Sequence, residues 1–220
     1  MARLKDEKRR TPSSRNWLER QLKDPYVARA KRDGFRSRAA YKLVEIDDKY
    51  KVFKMGARVV DLGAAPGGWS EIAALRVGAK EGSKGRVIAL DILDLKPLPG
   101  VEFLKLDFLD ATAPERLKEL VGGEAEGEVD VVLSDMAANA TGHRQTDHLR
   151  IMALAEAAAQ FAREVLAPKG TFLCKVLQGG TEAGLLAELK RDFESVKHVK
   201  PPASRADSAE LYLLGKGFRG

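Results

Sequence analysis

Cysteine, histidine and long apolar runs are all scarce in this chain. Its 220 residues include one cysteine, Cys174, and three histidines. A lone cysteine excludes an internal disulfide, which suits a reducing cytoplasm, and its spacing from the histidines matches no metal site. No apolar run approaches the roughly 20 residues that span a bilayer, and the basic N-terminus lacks the apolar segment of a secretory signal. We therefore expect a cytoplasmic protein without a bound metal. Asp6 and Glu7 weaken the alternative of a mitochondrial leader but leave it open.

Positive charge is concentrated at the N-terminus. Residues 1–38 hold 13 Lys and Arg against 5 Asp and Glu, a net charge of +8, whereas the whole chain carries +6. We predict that residues 1–35 form a basic, partly disordered arm with a short helix over 16–34, and that residues 36–220 form the folded domain. Cations interleaved with aromatic residues such as Trp17 and Tyr26 are typical of segments that bind nucleic-acid phosphates. A solubilising tail is the simpler alternative.

A glycine-rich segment runs from Asp61 to Trp69 and reads Asp-Leu-Gly-Ala-Ala-Pro-Gly-Gly-Trp. It joins an apolar stretch typical of a buried strand to an amphipathic stretch typical of a helix. Glycines let a ligand approach the backbone closely, and the first N–H groups of a helix have no intrahelical partner. The spacing of Gly63, Gly67 and Gly68 is not the G-x-G-x-x-G of dinucleotide loops, and no Walker-type phosphate loop is present. The segment predicts a nucleotide-type cofactor site, with an ordinary tight turn as the alternative.

The rest of the chain alternates apolar strands with helical stretches. This alternation predicts an α/β fold with a mostly parallel sheet and helices on both faces. The last two strands have no long helix between them, which predicts an antiparallel hairpin at one edge. The predicted strands are 58–62, 86–91, 101–106, 129–134, 170–177, 194–200 and 209–214, and the predicted helices after the arm are 38–50, 68–78, 113–121, 146–166 and 181–192.

Acidic residues stand at the ends of the first four predicted strands. In a parallel sheet, ligands bind beyond the carboxyl ends of the strands. Asp61 ends the first strand, Asp91 the second, Asp107 the third and Asp135 the fourth. Asp91 suits a ribose diol, which can donate two hydrogen bonds to one carboxylate, and Asp107 suits an adenine amino group. Taken singly, each aspartate is better explained as a helix cap or loop residue, but the succession of four favours a ligand site.

Lys175 interrupts the apolar strand from Thr171 to Leu177. A lysine in a central strand must either be paired with an acid or lose its proton, because an isolated buried ammonium is costly. The alternative is a lysine whose stem packs while its ammonium reaches the edge of the sheet. We therefore treat Lys175 as a candidate catalytic residue.

Five segments, spread from residue 37 to residue 212, together resemble the FtsJ/RrmJ family of ribosomal RNA ribose 2′-O-methyltransferases. The resemblance covers roughly residues 15–216, and it departs from many members at Ala138, where they carry proline. It implies the Rossmann-like fold of S-adenosylmethionine-dependent methyltransferases, with a seven-stranded, mostly parallel sheet and one antiparallel edge strand. It also implies S-adenosyl-L-methionine as cofactor and residues 36–220 as the methyltransferase domain. The segments that carry it are Ser37–Leu43, Val60–Ser70, Ser134–Asn139, Phe172–Val176 and Ser204–Tyr212.

The resemblance also implies a set of site residues. The catalytic tetrad of the family falls on Lys42, Asp135, Lys175 and Glu210. Lys175 is the candidate base, because burial, a second lysine and the positive sulfur of the cofactor all disfavour its charged form. Asp135 favours that charged form and is expected to orient Lys175, while Glu210 is expected to hold Lys42 or the substrate ribose. The cofactor-binding residues are expected to be Gly63, Pro66, Gly67, Gly68, Trp69, Asp91, Asp107 and Asp135.

The acceptor atom is suggested by what the fourth strand end lacks. Enzymes that methylate base amines usually present an aromatic residue there to stack on a flipped base, whereas this chain has Asp135-Met-Ala-Ala. Cys174 is expected to point away from Lys175. The ribose hydroxyl is therefore the acceptor that remains. The family implies that this ribose belongs to a uridine of large-subunit ribosomal RNA, and we expect a monomeric enzyme. Transfer RNA or mitochondrial ribosomal RNA as substrate, a non-catalytic RNA-binding assembly factor, and a small-molecule methyltransferase or nicotinamide enzyme are the alternatives.

Overall fold

A seven-stranded sheet forms the centre of the computed structural model, which describes residues 22, 24–121, 129–138, 141–179 and 183–220. The apolar alternation of the sequence appears as strands whose side chains are almost wholly buried in the middle of the sheet. The strands are β1 (Arg58–Leu62), β2 (Arg86–Asp91), β3 (Val101–Lys105), β4 (Val129–Ser134), β5 (Leu166–Leu177), β6 (Phe193–Val199) and β7 (Glu210–Phe218).

Helices cover both faces of the sheet. The described part of the chain contains α1 (Pro25–Asp33), α2 (Ala39–Tyr50), α3 (Gly68–Val77), α4 (Ala113–Val121), α5 (Arg144–Val165) and α6 (Ala183–Asp192). Asp24 caps the first of these by accepting a hydrogen bond from the backbone N–H of Tyr26 at 3.0 Å. Gly34, at a φ of 81°, ends the helix in the left-handed region. Of the helix predicted over 16–34, α1 is therefore the established part, and the predicted disorder of residues 1–15 lies outside the described residues.

The strand order is β3-β2-β1-β4-β5-β7-β6. Strands β1 to β5 pair in parallel, and β7 pairs antiparallel with both β5 and β6. The predicted α/β fold with a mostly parallel sheet and an antiparallel hairpin at its edge is thus confirmed. The antiparallel strand is β7, which lies one place in from the edge because it is inserted between β5 and β6.

The order of the strands reverses between β1 and β4. The chain moves from β1 outward through β2 to β3, then returns to place β4 on the other side of β1. In open α/β sheets the crevice at such a switch point is where ligands bind. The glycine-rich segment leaves β1 at this point, and Asp135 follows β4, with its N–H donating to the Leu62 carbonyl at 3.1 Å.

One strand begins earlier than predicted. β5 begins at Leu166 rather than at residue 170, because Leu166 already pairs with Val129 of β4. The sequence from Pro168 to Gly170 is typical of a turn, and the register of the two strands does shift between Val129 and Val131. The break therefore appears as an irregularity within one strand rather than as a separate loop.

Two apolar layers lie on opposite faces of the sheet. Val60 and Val132 face the layer that contains α4, α5 and α6, whereas Val59 and Val131 face the layer that contains α2 and α3. This alternation follows from the two-residue period of a strand. Cys174 is fully buried in the first layer, so the side chain of its neighbour Lys175 faces the side of α2 and α3. No helix in the described ranges is long and apolar enough to cross a membrane.

Candidate active site

Four charged side chains from four elements meet at the carboxyl edge of the sheet. Lys42 comes from α2, Asp135 follows β4, Lys175 lies late in β5, and Glu210 begins β7. The Lys42 Nζ lies 2.6 Å from Glu210 Oε1, and the Lys175 Nζ lies 2.8 Å from Asp135 Oδ1. The two pairs are linked, because Lys175 Nζ is also 4.0 Å from Glu210 Oε2. The sequence-predicted tetrad is therefore one cluster in space.

Tyr212 connects the two pairs and was missed by the sequence reasoning. Its hydroxyl donates to Asp135 Oδ1 at 2.9 Å and accepts from Lys42 Nζ at 3.2 Å. Tyr212 pairs directly with Lys175 across β5 and β7, so their side chains share a face. One signal was available: residues two apart on a strand share a face, so Glu210 on this edge implied Tyr212 beside it.

Opposing effects set the protonation of this cluster. Burial disfavours the Lys175 ammonium, but the nearby carboxylates of Asp135 and Glu210 outweigh it and hold the pKa of Lys175 above its ordinary value. Burial likewise disfavours the Asp135 carboxylate, but Lys175 and Lys42 outweigh it and hold the pKa of Asp135 below its ordinary value. Lys175 is thus protonated in this state. The expected disfavouring of its ammonium by burial operates, but the carboxylates are stronger.

A cavity of about 560 Å³ opens beside the cluster. Asp135 belongs to both, since its carboxylate pairs with Lys175 and the residue lines the cavity. Gly63, Asp91 and Asp107, three of the residues predicted to bind the cofactor, line the same cavity. The remaining wall is mainly apolar and includes Leu90, Ile92, Leu106, Phe108, Met136, Ala153 and Leu154. The volume lies within the range of about 300–1,000 Å³ that is usual for small-molecule sites.

Asp91 and Asp107 hold loop backbone and keep capacity for a ligand. Asp91 Oδ2 accepts from the N–H of Ala65 at 2.8 Å, and its Oδ1 accepts from the N–H of Leu93 at 2.8 Å. Asp107 Oδ1 accepts from the N–H of Leu109 at 3.0 Å. A carboxylate has about four lone-pair positions. The loop-capping explanation and the ligand explanation are therefore compatible for both residues.

Gly63 is required by the close approach of two strands. Its φ is 78°, and a Cβ there would lie 2.8 Å from the Met136 Cα and 2.9 Å from the Met136 nitrogen. No side chain fits against that backbone. The segment from β1 can therefore cross close to the residues that follow β4, which brings Gly63 and Asp135 into one wall.

The other predicted residues of the glycine-rich segment lie outside the cavity lining. Pro66 is exposed, whereas Gly67 and Gly68 are buried at the start of α3. The Trp69 ring is buried against Tyr212 with a centroid separation of 5.5 Å, and its Nε1 donates to the Ala39 carbonyl at 3.0 Å. The indole therefore supports the wall behind the charged cluster. Gly68 and Trp69 could still face a ligand through their backbone N–H groups, which precede the first intrahelical hydrogen bonds.

Asp61 has a different role from the other strand-end aspartates. It is fully buried, and its Oδ2 accepts from the Ser70 hydroxyl at 2.6 Å, which ties the end of β1 to α3. Its Oδ1 is buried without a hydrogen-bond partner among the described residues. Burial raises the pKa of Asp61 to about 7, and the charges of Asp135 and Asp91 act in the same direction.

Comparison with known proteins yields one consistent set of similarities. A protein-family model described as FtsJ-like methyltransferase matches residues 35–218. A Xanthobacter autotrophicus protein named Ribosomal RNA large subunit methyltransferase E is 63% identical over 99% of this chain and 84% of its own length. A protein of the same name from Rhodopseudomonas palustris strain TIE-1 is 65% identical over 94% of this chain and 86% of its own length.

Solved structures agree with the fold. A crystal structure from Plasmodium falciparum, described as a putative ribosomal RNA methyltransferase, matches with a TM-score of 0.73 and 30% identity and covers 84% of this chain and 100% of that one. Human methyltransferase-like protein 13, solved in complex with SAH, matches with a TM-score of 0.52 and 16% identity over 81% of this chain and 78% of that one. The second match shows the fold alone.

Proposed function

Because the chain belongs to the FtsJ-like methyltransferase family, we propose that it transfers a methyl group from S-adenosyl-L-methionine to a ribose 2′-hydroxyl of large-subunit ribosomal RNA. One observation carries the proposal: the charged cluster borders a cavity of nucleoside size, with Asp135 common to both. An acceptor hydroxyl at the cluster would therefore lie beside a methyl donor in the cavity.

The cavity residues fit the cofactor. Asp91 suits its ribose diol, Asp107 suits its adenine amino group, and the N–H groups of Gly68 and Trp69 suit its carboxylate. When bound, S-adenosyl-L-methionine supplies a methyl group on a positively charged sulfur, and that charge opposes the carboxylates that hold up the pKa of Lys175.

The cluster supplies positioning and a proton acceptor. Methyl transfer is an in-line displacement, so it requires the hydroxyl oxygen to be held in line with the methyl group. Lys42, fixed by Glu210 at 2.6 Å, is proposed to orient the ribose. Lys175, fixed by the Asp135 carboxylate and backbone carbonyl at 2.8 Å each, is proposed to release its own proton to solvent when the cofactor binds and then to accept the hydroxyl proton.

The substrate is proposed from the relatives. Two of them are named Ribosomal RNA large subunit methyltransferase E, and we infer the same RNA for this chain, with a uridine as target. A cytoplasmic monomer stays a prediction, as does the division into an arm over 1–35 and a catalytic domain over 36–220. The charged cluster argues against a pure assembly factor, because RNA binding alone has no use for a lysine in a central strand.

The experiment is methyl transfer with defined acceptors. The protein is incubated with S-adenosylmethionine carrying a labelled methyl group and with large ribosomal subunits from a strain that lacks an enzyme of this type. Transfer RNA is the matched alternative acceptor. Label in a single 2′-O-methyluridine of the large-subunit RNA is expected. Label in transfer RNA would keep the chemistry and change the substrate, and tight RNA binding without transfer would support the assembly-factor alternative.

A further inference from the structure

Asp24 is a buried acid that lies before the region matched by the family model. That region begins at residue 35, whereas Asp24 precedes α1 and is 8% exposed. Its Oδ1 accepts from the N–H of Tyr26 at 3.0 Å and so caps the helix. A helix cap needs only one carboxylate oxygen and no burial. The burial of Asp24 and the contacts of its second oxygen therefore need another explanation.

Two arginines share the second oxygen of Asp24. Arg205 Nε and Nη2 donate to Asp24 Oδ2 at 3.2 and 3.1 Å. Arg38 Nε lies 3.0 Å from the same oxygen, close enough for an ion pair, although its N–H is not aligned for a hydrogen bond. Arg38 Nη2 donates to the Ala203 carbonyl at 2.5 Å. One carboxylate therefore holds together the start of α1, the start of α2 and the β6–β7 connection, which comprises residues 200–209.

The β6–β7 connection in turn holds Glu210. Ala203 is fully buried, and its N–H donates to Glu45 Oε2 of α2 at 2.7 Å. The next residue, Ser204, is 6% exposed and donates from its hydroxyl to Glu210 Oε1 at 2.9 Å. That same oxygen lies 2.6 Å from Lys42 Nζ. A path thus runs from Asp24 by side-chain contact to Arg205, along the backbone to the adjacent Ser204, and by hydrogen bond to Glu210 of the charged cluster.

We propose that Asp24 is a positioning residue for the methyl-transfer site, acting through Arg205 and Ser204 on Glu210 and hence on Lys42. The proposal rests on the proposed function only for its kinetic readout. It also gives α1 a use beyond packing.

The physical reason is the charge that Asp24 compensates. Arg38 and Arg205 converge on one carboxylate, and a carboxylate between two guanidinium groups forms strong, charge-assisted contacts. An amide in its place leaves two like charges facing each other. Arg205, whose side chain is 30% exposed, can then turn into solvent. Ser204 would lose its fixed position, and Glu210 Oε1 would lose its hydrogen bond from Ser204, which would leave Lys42 as the main contact that holds this carboxylate.

The test is a double-mutant cycle on the full-length protein. Asp24→Asn, Ser204→Ala and the double variant are compared for kcat and KM on the RNA substrate, and for affinity for S-adenosylhomocysteine by calorimetry. Asp33→Asn is the matched control. Asp33 ends the same helix and accepts from the Tyr41 hydroxyl at 2.5 Å, but among the described residues it has no contact with the β6–β7 connection.

Each single variant of the cycle is expected to lower kcat about tenfold, with cofactor affinity within about twofold of wild type. Because both act through Glu210, the double variant is expected to lose about tenfold rather than about a hundredfold. Asp33→Asn is expected to retain kcat. Independent losses that multiply in the double variant, or an equal loss in Asp33→Asn, would overturn the proposal. If Asp24→Asn does not fold, Arg205→Gln removes the same contact from the other side, and the same coupling with Ser204→Ala is required.

Hydrogen–deuterium exchange separates this inference from the proposed function. Asp24→Asn is expected to speed exchange across residues 200–210, and Asp33→Asn is expected to leave it unchanged. Wild-type protein that methylates no RNA would contradict the proposed function while this exchange difference stayed intact. Unchanged exchange in Asp24→Asn would overturn the positioning role whatever the activity of the wild type.

Discussion

Tyr212 shows how one neutral side chain can organise four charged ones. Burial raises the pKa of Tyr212 well above its ordinary value, and the charges of Asp135 and Glu210 act in the same direction. The phenol therefore stays protonated at any working pH. It serves as a permanent donor to Asp135 at 2.9 Å while accepting from Lys42 at 3.2 Å. The hydroxyl thus fixes the separation of the two ion pairs.

Tyr212→Phe removes that hydroxyl and keeps the ring. Asp135 loses a donor and Lys42 loses an acceptor, so the two pairs can move apart. We expect kcat to fall about tenfold with cofactor affinity unchanged, and stability to fall by about 1 kcal/mol, the usual net effect of a lost hydrogen bond. Steady-state kinetics and thermal unfolding measure both. A variant with wild-type kcat would show that the hydroxyl has no part in positioning.

The raised pKa of Asp61 is expected to make the free energy of unfolding depend on pH. Burial raises its pKa in the folded state from 3.8 to about 7. The folded protein therefore binds this proton more tightly than the unfolded chain, so stability falls as pH rises from about 4 to about 7, and the cost is fully present above pH 7. The rise of the Asp61 pKa from 3.8 to about 7 lowers the free energy of unfolding above pH 7 by at most about 4 kcal/mol.

Asp61→Asn removes this titration and keeps an oxygen for Ser70. The unfolding free energy of the variant, relative to wild type, is expected to increase steadily between pH 4 and pH 7 and then level off. Chemical denaturation at a series of pH values measures the difference. A difference that does not change with pH would contradict the raised pKa.

Residue types were predictable from the sequence, but the balance of charge was not. Lys175 in an apolar strand and Asp135 after another could be identified because charged residues at such places need an explanation. Tyr212 and Ser204 are uncharged and ordinary at those positions, so only the two-residue spacing of Tyr212 from Glu210 pointed to the tyrosine. The direction of the Lys175 pKa depends on burial against two carboxylates, and their distances exist only in the folded chain.

At the scale of elements, the insertion of β7 between β5 and β6 builds the site. Lys175 pairs with Tyr212, and Leu177 pairs with Glu210, so the insertion brings Tyr212 and Glu210 beside Lys175. The sequence predicted a closing hairpin from the short connection between its last two strands. It did not predict the pairing of β7 with β5, because more than 30 residues separate Leu177 from Glu210 along the chain and no local pattern encodes such a contact.

The glycine-rich segment yields a prediction with an internal control. In Gly63→Ala the Cβ would lie 2.8 Å from the Met136 Cα at a φ of 78°, so the variant is expected to lose about 2–4 kcal/mol of stability and its cofactor binding. Gly82 has a φ of 74° with nothing within 4 Å of a Cβ. Gly82→Ala is expected to lose only about 1 kcal/mol. Unfolding and calorimetry compare the two, and equal losses would show that backbone conformation alone explains Gly63.

The molecule as a whole is electrically divided. Residues 1–38 carry a net charge of +8, while the entire chain carries +6, so the remaining residues sum to about −2. Phosphate contacts release counterions, so each one steepens the fall of RNA affinity with salt. The uneven charge therefore predicts that lysines and arginines of residues 1–38 contribute more to RNA binding than those in the rest of the chain.

Replacing Lys8, Arg9 and Arg10 with glutamine tests that division. The slope of log affinity against log salt is negative, and its magnitude is expected to fall by up to about 2–3, because each phosphate contact contributes about 0.7–0.9. The control replaces Lys54, Lys80 and Lys84, which precede the amino ends of β1 and β2 and are exposed. Equal slopes in the two variants would mean that the salt dependence of RNA affinity follows the net charge of the protein and not the position of its cations.

The cluster around Lys175 is proposed to perform methyl transfer to a ribose hydroxyl. The most direct test is the single-turnover rate of Lys175→Ala with cofactor and large ribosomal subunits, measured beside its affinity for S-adenosylhomocysteine. General-base catalysis contributes about 10²–10⁴-fold, so a loss of at least about a hundredfold is expected, with cofactor affinity near that of wild type. Transfer to the same 2′-hydroxyl at a rate near that of wild type would show that Lys175 is not the base.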